Sequence, residues 1–234
     1  MNYRNLHPWD VTTKQAGEIQ ETLRDMIEPV WDGRVVRTVA GTDVGFPDKQ
    51  TVKAAVVVLT WPDLKVIATR VITRRCTFPY VPGLLAFREI PGLLSALDGI
   101  DDEPDVVFCD AQGIAHRRRM GLAAHLGILL DRPVLGCAKS VLYGKFEEPS
   151  DKRGSYSHML DDRGEIIGAA VRTRHAVKPV YVSIGNRIDL ETAIDMVLEC
   201  SPKYRIAIPL RLAHKLSVGE DVLCGGIEHE KELI

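Results

Sequence analysis

With 234 residues, 45% of them hydrophobic, the chain can bury a full core and falls in the size range of one large α/β domain. Its 30 Lys plus Arg against 32 Asp plus Glu leave a net charge of −2, so overall charge gives no pointer to a polyanionic partner. No apolar run reaches the ~18 residues of a membrane span, the N-terminus has no signal-peptide core, and the five cysteines lie far apart with no Cys-x-x-Cys pair; these features argue against membrane insertion, a disulfide framework or a zinc site, and for a cytoplasmic protein.

In chain order, Ile19, Leu23, Met26 and Ile27 recur at helical spacing and predict an amphipathic helix from Lys14 to Ile27, ended by Pro29. Three β-rich runs follow, Val35 to Phe46, Val52 to Trp61 and Lys65 to Thr73, separated by turn signals at Pro47 and Pro62, which predicts an antiparallel three-strand meander. Between Phe78 and Glu89, Pro79 and Pro82 restrict the backbone on either side of Tyr80, so the tyrosine should stand on a stiff projection suited to stacking. Pro91 is expected to open a helix running through Leu97. A strand at Asp105 to Asp110, a helix from about Arg118 to Leu130 and a strand at Pro133 to Ala138 have the rhythm of a parallel crossover, and both strands are apolar throughout, as buried ones should be. Strands at Ser155 to Leu160, Glu165 to Arg172 and Val180 to Ile184 and helices at Asp189 to Cys200 and Pro209 to Leu216 complete the reading. With no dividing linker, residues 1–234 read as a single α/β domain with its core at about 35–216: a mixed sheet of antiparallel meander plus parallel strands, flanked by helices, in the arrangement of the ribonuclease H-like nucleases. The order of the tail from Asp221 to Ile234 is left open.

Asp43 lies near the end of the first strand between Gly41 and Gly45, which should keep the space around it clear, and Asp110 ends a second apolar strand. A carboxylate at a buried strand end is costly unless solvated, paired or bound to a cation, so the pair, with Glu89 beside the stiff loop, points to a hard ion such as Mg²⁺ or Mn²⁺. His116 and His125 are too far apart along a helix to face one site, and His116, in the loop after Asp110, is the better choice, His125 sitting among apolar residues. Lys139 follows its strand directly, at the carboxyl end where open sheets place ligands. Bases cluster at Arg70, Arg74 and Arg75 and again at Arg117 to Arg119, allowing a local basic surface. No catalytic triad, phosphate-binding Gly-Lys-Ser/Thr loop or Gly-x-Ser-x-Gly is recognisable, which leaves hydrolysis by a metal-activated water as the leading chemistry.

The blocks Val39-Ala-Gly-Thr-Asp-Val-Gly-Phe46, Pro79-Tyr-Val-Pro-Gly-Leu-Leu-Ala-Phe-Arg-Glu89, Asp110-Ala-Gln-Gly-Ile-Ala-His116, Gly121-Leu-Ala-Ala-His-Leu-Gly127 and Gly136-Cys-Ala-Lys-Ser140 resemble the endonuclease V family. That resemblance implies a ribonuclease H-like fold and nicking of nucleic acid at deaminated adenine, at the second phosphodiester bond 3′ to the lesion, leaving 3′-hydroxyl and 5′-phosphate ends. It implies Asp43 and Asp110 as metal ligands, Glu89 as a ligand directly or through water, His116 as an aid to cleavage and His214 as an assistant to the metal or attacking water. Lys139 is the implied phosphate contact, joined by Ser140, Arg88 and Arg117. Pro79, Tyr80, Val81 and Pro82 resemble a strand-separating wedge, and Gly83, Leu85, Gly113, Gly121 and Leu122 a base pocket. Mg²⁺, with Mn²⁺ as a substitute, is the implied cofactor, and the implied partner is deoxyinosine-containing DNA, single- or double-stranded, bound by a monomer. Inosine-containing RNA, or binding of distorted nucleic acid without catalysis, stand as alternatives. Ala111, Arg117 and Cys137 depart from the family pattern, and Ala111 adds a methyl beside the pocket.

Overall fold

The computed structural model describes residues 1–222; Cys224 and the rest of the tail lie outside them. The meander forms as expected from β1 (Thr38–Asp48), β2 (Thr51–Thr60) and β3 (Val66–Arg75), all antiparallel. Next come α2 (Leu85–Asp98), β4 (Val106–Cys109), α3 (Leu122–Leu130) and β5 (Val134–Ala138), with β4 parallel to both β1 and β5. The antiparallel strands β6 (Tyr156–Leu160), β7 (Ile166–Val171) and β8 (Val180–Asn186) complete one eight-stranded sheet of order β3-β2-β1-β4-β5-β8-β7-β6. An N-terminal α1 (Thr13–Leu23) and, after β8, α4 (Leu190–Glu199) and α5 (Ile208–Val218) make five α-helices among the described residues.

Side chains on the central strands alternate between two cores, as the two-residue period of a strand requires. Val39, Ala55, Val57 and Phe108 pack toward α4 and α5, whereas Ala40, Val56, Val58 and Val107 pack toward α2 and α3. Both faces of β1, β2, β4 and β5 are thus covered, which is why their sequences read as near-continuous apolar runs. No helix among the described residues is long and apolar enough to cross a membrane. The four described cysteines, Cys76, Cys109, Cys137 and Cys200, are buried free thiols, and burial pushes the Cys109 and Cys137 thiols up to about 12.

Three helix boundaries differ from the sequence expectation. α1 opens with a capping box between Thr12 and Gln15 but stops at Leu23, where a 3₁₀ turn takes over and leaves Met26 exposed. α2 begins at Leu85, not at Pro91, so Glu89 belongs to the helix and not to the loop before it. The proline sits inside the helix, with Arg74 of β3 donating to its carbonyl at 2.7 Å. α3 begins at Leu122, because Arg119 adopts a left-handed φ of 57° and its guanidinium is tied to Asp161 and Glu165, which keeps residues 117–120 as a loop.

Candidate active site

Asp43 is not at the end of β1; it is the first residue past the stretch, Val39 to Thr42, that pairs with β4. Asp110 follows β4 directly, and its backbone N–H reaches the Thr42 carbonyl at 3.4 Å. Parallel pairing therefore delivers both carboxylates to one rim of the sheet. The space beside Asp43 is not left open by its flanking glycines: α5 fills it. A Cβ on Gly41 would lie 2.1 Å from the Pro209 carbonyl oxygen and one on Gly45 2.6 Å from that of Ser217, so only glycine lets α5 lie this close to β1. The tight approach sets His214 Nδ1 3.0 Å from Asp43 Oδ2 and lets Ser217 Oγ donate to the same oxygen.

Glu89 rises on α2 toward the two aspartates. Its burial and the charges of Asp43 and Asp110 push its carboxyl up to about 8, and burial likewise raises Asp110, against the opposing pull of the Lys139 ammonium bonded to it. Three carboxylates whose charges oppose one another are a donor set for a hard cation with oxygen preference. Among the described residues, no three His, Cys, Asp or Glu side chains converge closely enough to enclose an ion as they stand, since Lys139 holds Asp110 while His214 and Ser217 hold Asp43. The residue types fit a divalent ion; Asp43 and Asp110 are held by protein donors.

Beside these acids opens a pocket of about 390 Å³. One wall is Tyr80, Val81, Pro82, Gly83 and Leu85; the other runs through Asp110 to Gln112, His116, Gly121 and Leu122, and Lys139 and Ser140 stand at its edge. Tyr80 projects at 72% exposure, while its neighbour Phe78 is buried against Phe87. The stiff projection is thus anchored by the aromatic before it. Ala111 lines the pocket.

His116 is buried and belongs to the pocket wall. The Arg118 N–H donates to its Nδ1 at 3.1 Å, which leaves the proton on Nε2 to donate to the Gly83 carbonyl at 3.0 Å. Burial, reinforced by the Arg118 charge, lowers its pKa to about 4, so the ring is neutral at neutral pH and latches the loop. Gly113 does not line the pocket: its N–H donates to Ser183 Oγ at 2.8 Å, and a Cβ there would meet the Ile184 carbonyl oxygen at 1.9 Å. Gly121 is likewise required by backbone, a Cβ falling 2.3 Å from the Gln112 carbonyl oxygen. Arg88 does not suit a phosphate contact, being buried with its guanidinium donating to the carbonyls of Phe78 at 2.8 Å and Lys49 at 2.7 Å. Arg117 is exposed, 5.9 Å from the Tyr143 ring centre, and remains free to reach a phosphate. His125 is fully buried and pairs with His7 Nε2 at 2.7 Å, a packed histidine as expected.

Sequence reading missed Gln20 and Ser217. Gln20, fully buried on α1, donates to the Gly83 carbonyl at 3.0 Å and the Met120 carbonyl at 2.9 Å and accepts from Arg118 Nε at 2.7 Å, so it ties the two pocket walls together. Its signal was available: Ala16, Gln20 and Leu23 share the buried stripe of α1, and a polar residue there needs a polar partner. Ser217 had no such signal, because its role depends on how closely α5 docks.

A mixed sheet with an antiparallel meander, parallel central strands and carboxylates where those strands part has the plan of a ribonuclease H-like nuclease. A sequence profile of endonuclease V matches residues 21–215. Endonuclease V of Trichormus variabilis is 52% identical over 213 residues, covering 90% of this chain and 96% of its own. The crystal structure of endonuclease V from Streptomyces avermitilis superposes with a TM-score of 0.84 at 41% identity, covering 90% of this chain and 93% of that one. Ciona intestinalis endonuclease V, crystallised with a 24mer DNA containing an inosine followed by a ribo-adenosine, matches with a TM-score of 0.76 at 30% identity, covering 88% of this chain and 95% of its own. The chain belongs to the endonuclease V family, has the ribonuclease H-like fold and is a nuclease.

Proposed function

We propose that this nuclease is metal-dependent, recognises deoxyinosine in DNA and hydrolyses the second phosphodiester bond 3′ to it, leaving 3′-hydroxyl and 5′-phosphate ends. The observation that carries the reading is the juxtaposition of a base-sized pocket behind a projecting Tyr80 with the Asp43, Glu89 and Asp110 carboxylates. The inosine-containing DNA held by the Ciona relative supports the substrate. A hypoxanthine must leave the stack before the pocket can read it, at a cost of a few kcal/mol, and stacking on Tyr80 returns about 1 to 3 kcal/mol. Hypoxanthine presents an O6 acceptor and an N1–H donor where adenine presents an amine and a bare nitrogen, so backbone groups of the pocket walls can separate the two.

Asp43 and Asp110 would hold Mg²⁺, with Mn²⁺ as a substitute and Glu89 as a third oxygen donor. Such an ion lowers the pKa of bound water and offsets phosphate charge. Lys139 would turn from Asp110 to the phosphate, Ser140 and Arg117 would extend that contact, and His214 and Ser217 would orient Asp43. The test is cleavage of a labelled strand with one deoxyinosine, single-stranded and duplex, in Mg²⁺, Mn²⁺ or EDTA. A nick one nucleotide beyond the lesion that requires the metal supports the reading; a metal-independent nick, or equal cutting of an adenine control, sinks it. The ribo-adenosine after the inosine in the Ciona complex favours a second reading, cleavage at inosine in RNA. Relative rates on matched RNA and DNA strands separate the two.

A further inference from the structure

Tyr80 borders a second cavity. A groove of about 560 Å³ shares Tyr80, and no other lining residue, with the base pocket, so the tyrosine stands between the two. The groove is formed by the turn joining β1 to β2 and by the chain leaving β3, fastened where Cys76 N–H donates to the Gln50 carbonyl at 2.6 Å. Arg88 ties the same turn to the base of the wedge through the Lys49 and Phe78 carbonyls.

Charge sets this groove apart from the base pocket, whose lining includes Asp110. Lys49, Arg75 and Arg88 line the groove and no Asp or Glu does, in a chain whose net charge is −2. Lys49 and Arg75 are exposed, and among the described residues none of the three forms an ion pair with an acid. Unpaired cations in a groove continuous with a stacking aromatic match the spacing-tolerant, sequence-blind contacts that proteins make to a phosphate backbone. The base pocket, with Asp110 and Lys139 at its edge, accounts for the lesion strand alone. A wedge that parts a duplex produces a second strand on its other side, which a single-stranded substrate lacks.

We propose that this groove holds the phosphate backbone of the strand opposite the lesion, through Lys49 and Arg75, after Tyr80 has parted the duplex. The proposal rests on the base pocket read above and on the resemblance of Pro79 to Pro82 to a strand-separating wedge. Arg88 acts here as a positioning residue, keeping the turn that carries Lys49 fixed to the wedge.

The experiment compares wild type with the Lys49→Ala/Arg75→Ala double variant, binding fluorescent deoxyinosine DNA in EDTA between 50 and 200 mM salt as a single strand and as a duplex. Both side chains are exposed and bond to nothing described, so an unchanged melting temperature confirms that the fold is kept. Expected is a loss of duplex affinity of ~10-fold, with the slope of log affinity against log salt shallower by about 2, one unit for each lost phosphate contact. Single-strand affinity should stay within about twofold. Equal losses on both substrates would show a general basic surface and overturn the proposal, as would no loss on either. If wild type favours neither inosine substrate over an adenine control, the parent reading fails and takes this one with it; preference for the inosine single strand, with an unaffected duplex, overturns the groove alone.

Discussion

The two sides of the candidate site are built from different materials. Asp43 and Asp110 issue from paired strands in the middle of the sheet, and α5 presses on them so closely that glycine is required at positions 41 and 45. Tyr80 stands on an irregular loop anchored by Phe78 against Phe87, and its polar link to the opposite pocket wall is one carbonyl: Gly83 accepts from Gln20 at 3.0 Å, His116 at 3.0 Å and Arg118 at 3.3 Å. The acids are fixed by strand pairing and helix docking, whereas the two pocket walls are joined to each other by a few side-chain hydrogen bonds. Damage to the first should therefore appear in the rate of the chemical step, and damage to the second in recognition.

The largest expected effect is on the sheet side. Asp43→Ala should lower the single-turnover rate by more than the ~10 to 100-fold that losing a residue behind a metal ligand costs, while affinity for a deoxyinosine strand in EDTA stays within a few-fold. Next is Tyr80→Ala, which removes a stacking partner and should weaken inosine binding by about 10-fold or more, with the rate at saturation little changed; titration followed by single-turnover kinetics reads both. Gln20→Glu keeps the shape and the acceptor for Arg118 but cannot donate to the Gly83 and Met120 carbonyls. It should raise KM and lower the preference for inosine over guanine by roughly 10-fold, with kcat largely kept, and Gln20→Asn should not rescue it because its amide is one carbon too short.

The smallest effect is thermodynamic. His116 is held down to about 4 and His125 to about 3, chiefly by burial, and burial lowers His7 as well. Unfolded imidazoles take up protons near 6.5, so below that pH the unfolded state binds more protons than the folded one. The stability these rings contribute is complete above about pH 6.5 and is lost as the pH falls toward about 4 and then about 3. Glu89, held up to about 8, gives the opposite trend over the same range, so the histidine effect is read as the gap in melting midpoint between wild type and His116→Gln, which should shrink by several degrees from pH 7 to about pH 5. A gap that stays level down to pH 5 would mean the latch is not neutral.

Local features were legible in the sequence. Two prolines around Tyr80 act within a few residues, and an acid closing an apolar strand is visible at Asp110 from the run before it. Distant contacts were not. Pro91 suggested a helix start because proline favours that position, but the buried face of α2, including Phe87 and Ile90, already begins before it. Gly41 and Gly45 looked like open space around an acid, and only the docking of α5 shows that they admit a helix. The family resemblance implied Arg88 as a phosphate contact, yet its partners are carbonyls on the β1–β2 turn and the Tyr80 loop, brought together by the fold. Gln20 was readable in principle, as a polar residue on a buried stripe.

The most direct test of the division between the two sides is to measure affinity in EDTA and single-turnover rate in Mg²⁺ for Asp43→Ala and Tyr80→Ala on the same deoxyinosine strand. The prediction is a crossed pattern, with Asp43→Ala losing rate and keeping affinity and Tyr80→Ala losing affinity and keeping rate. Parallel losses of both quantities in both variants would contradict it.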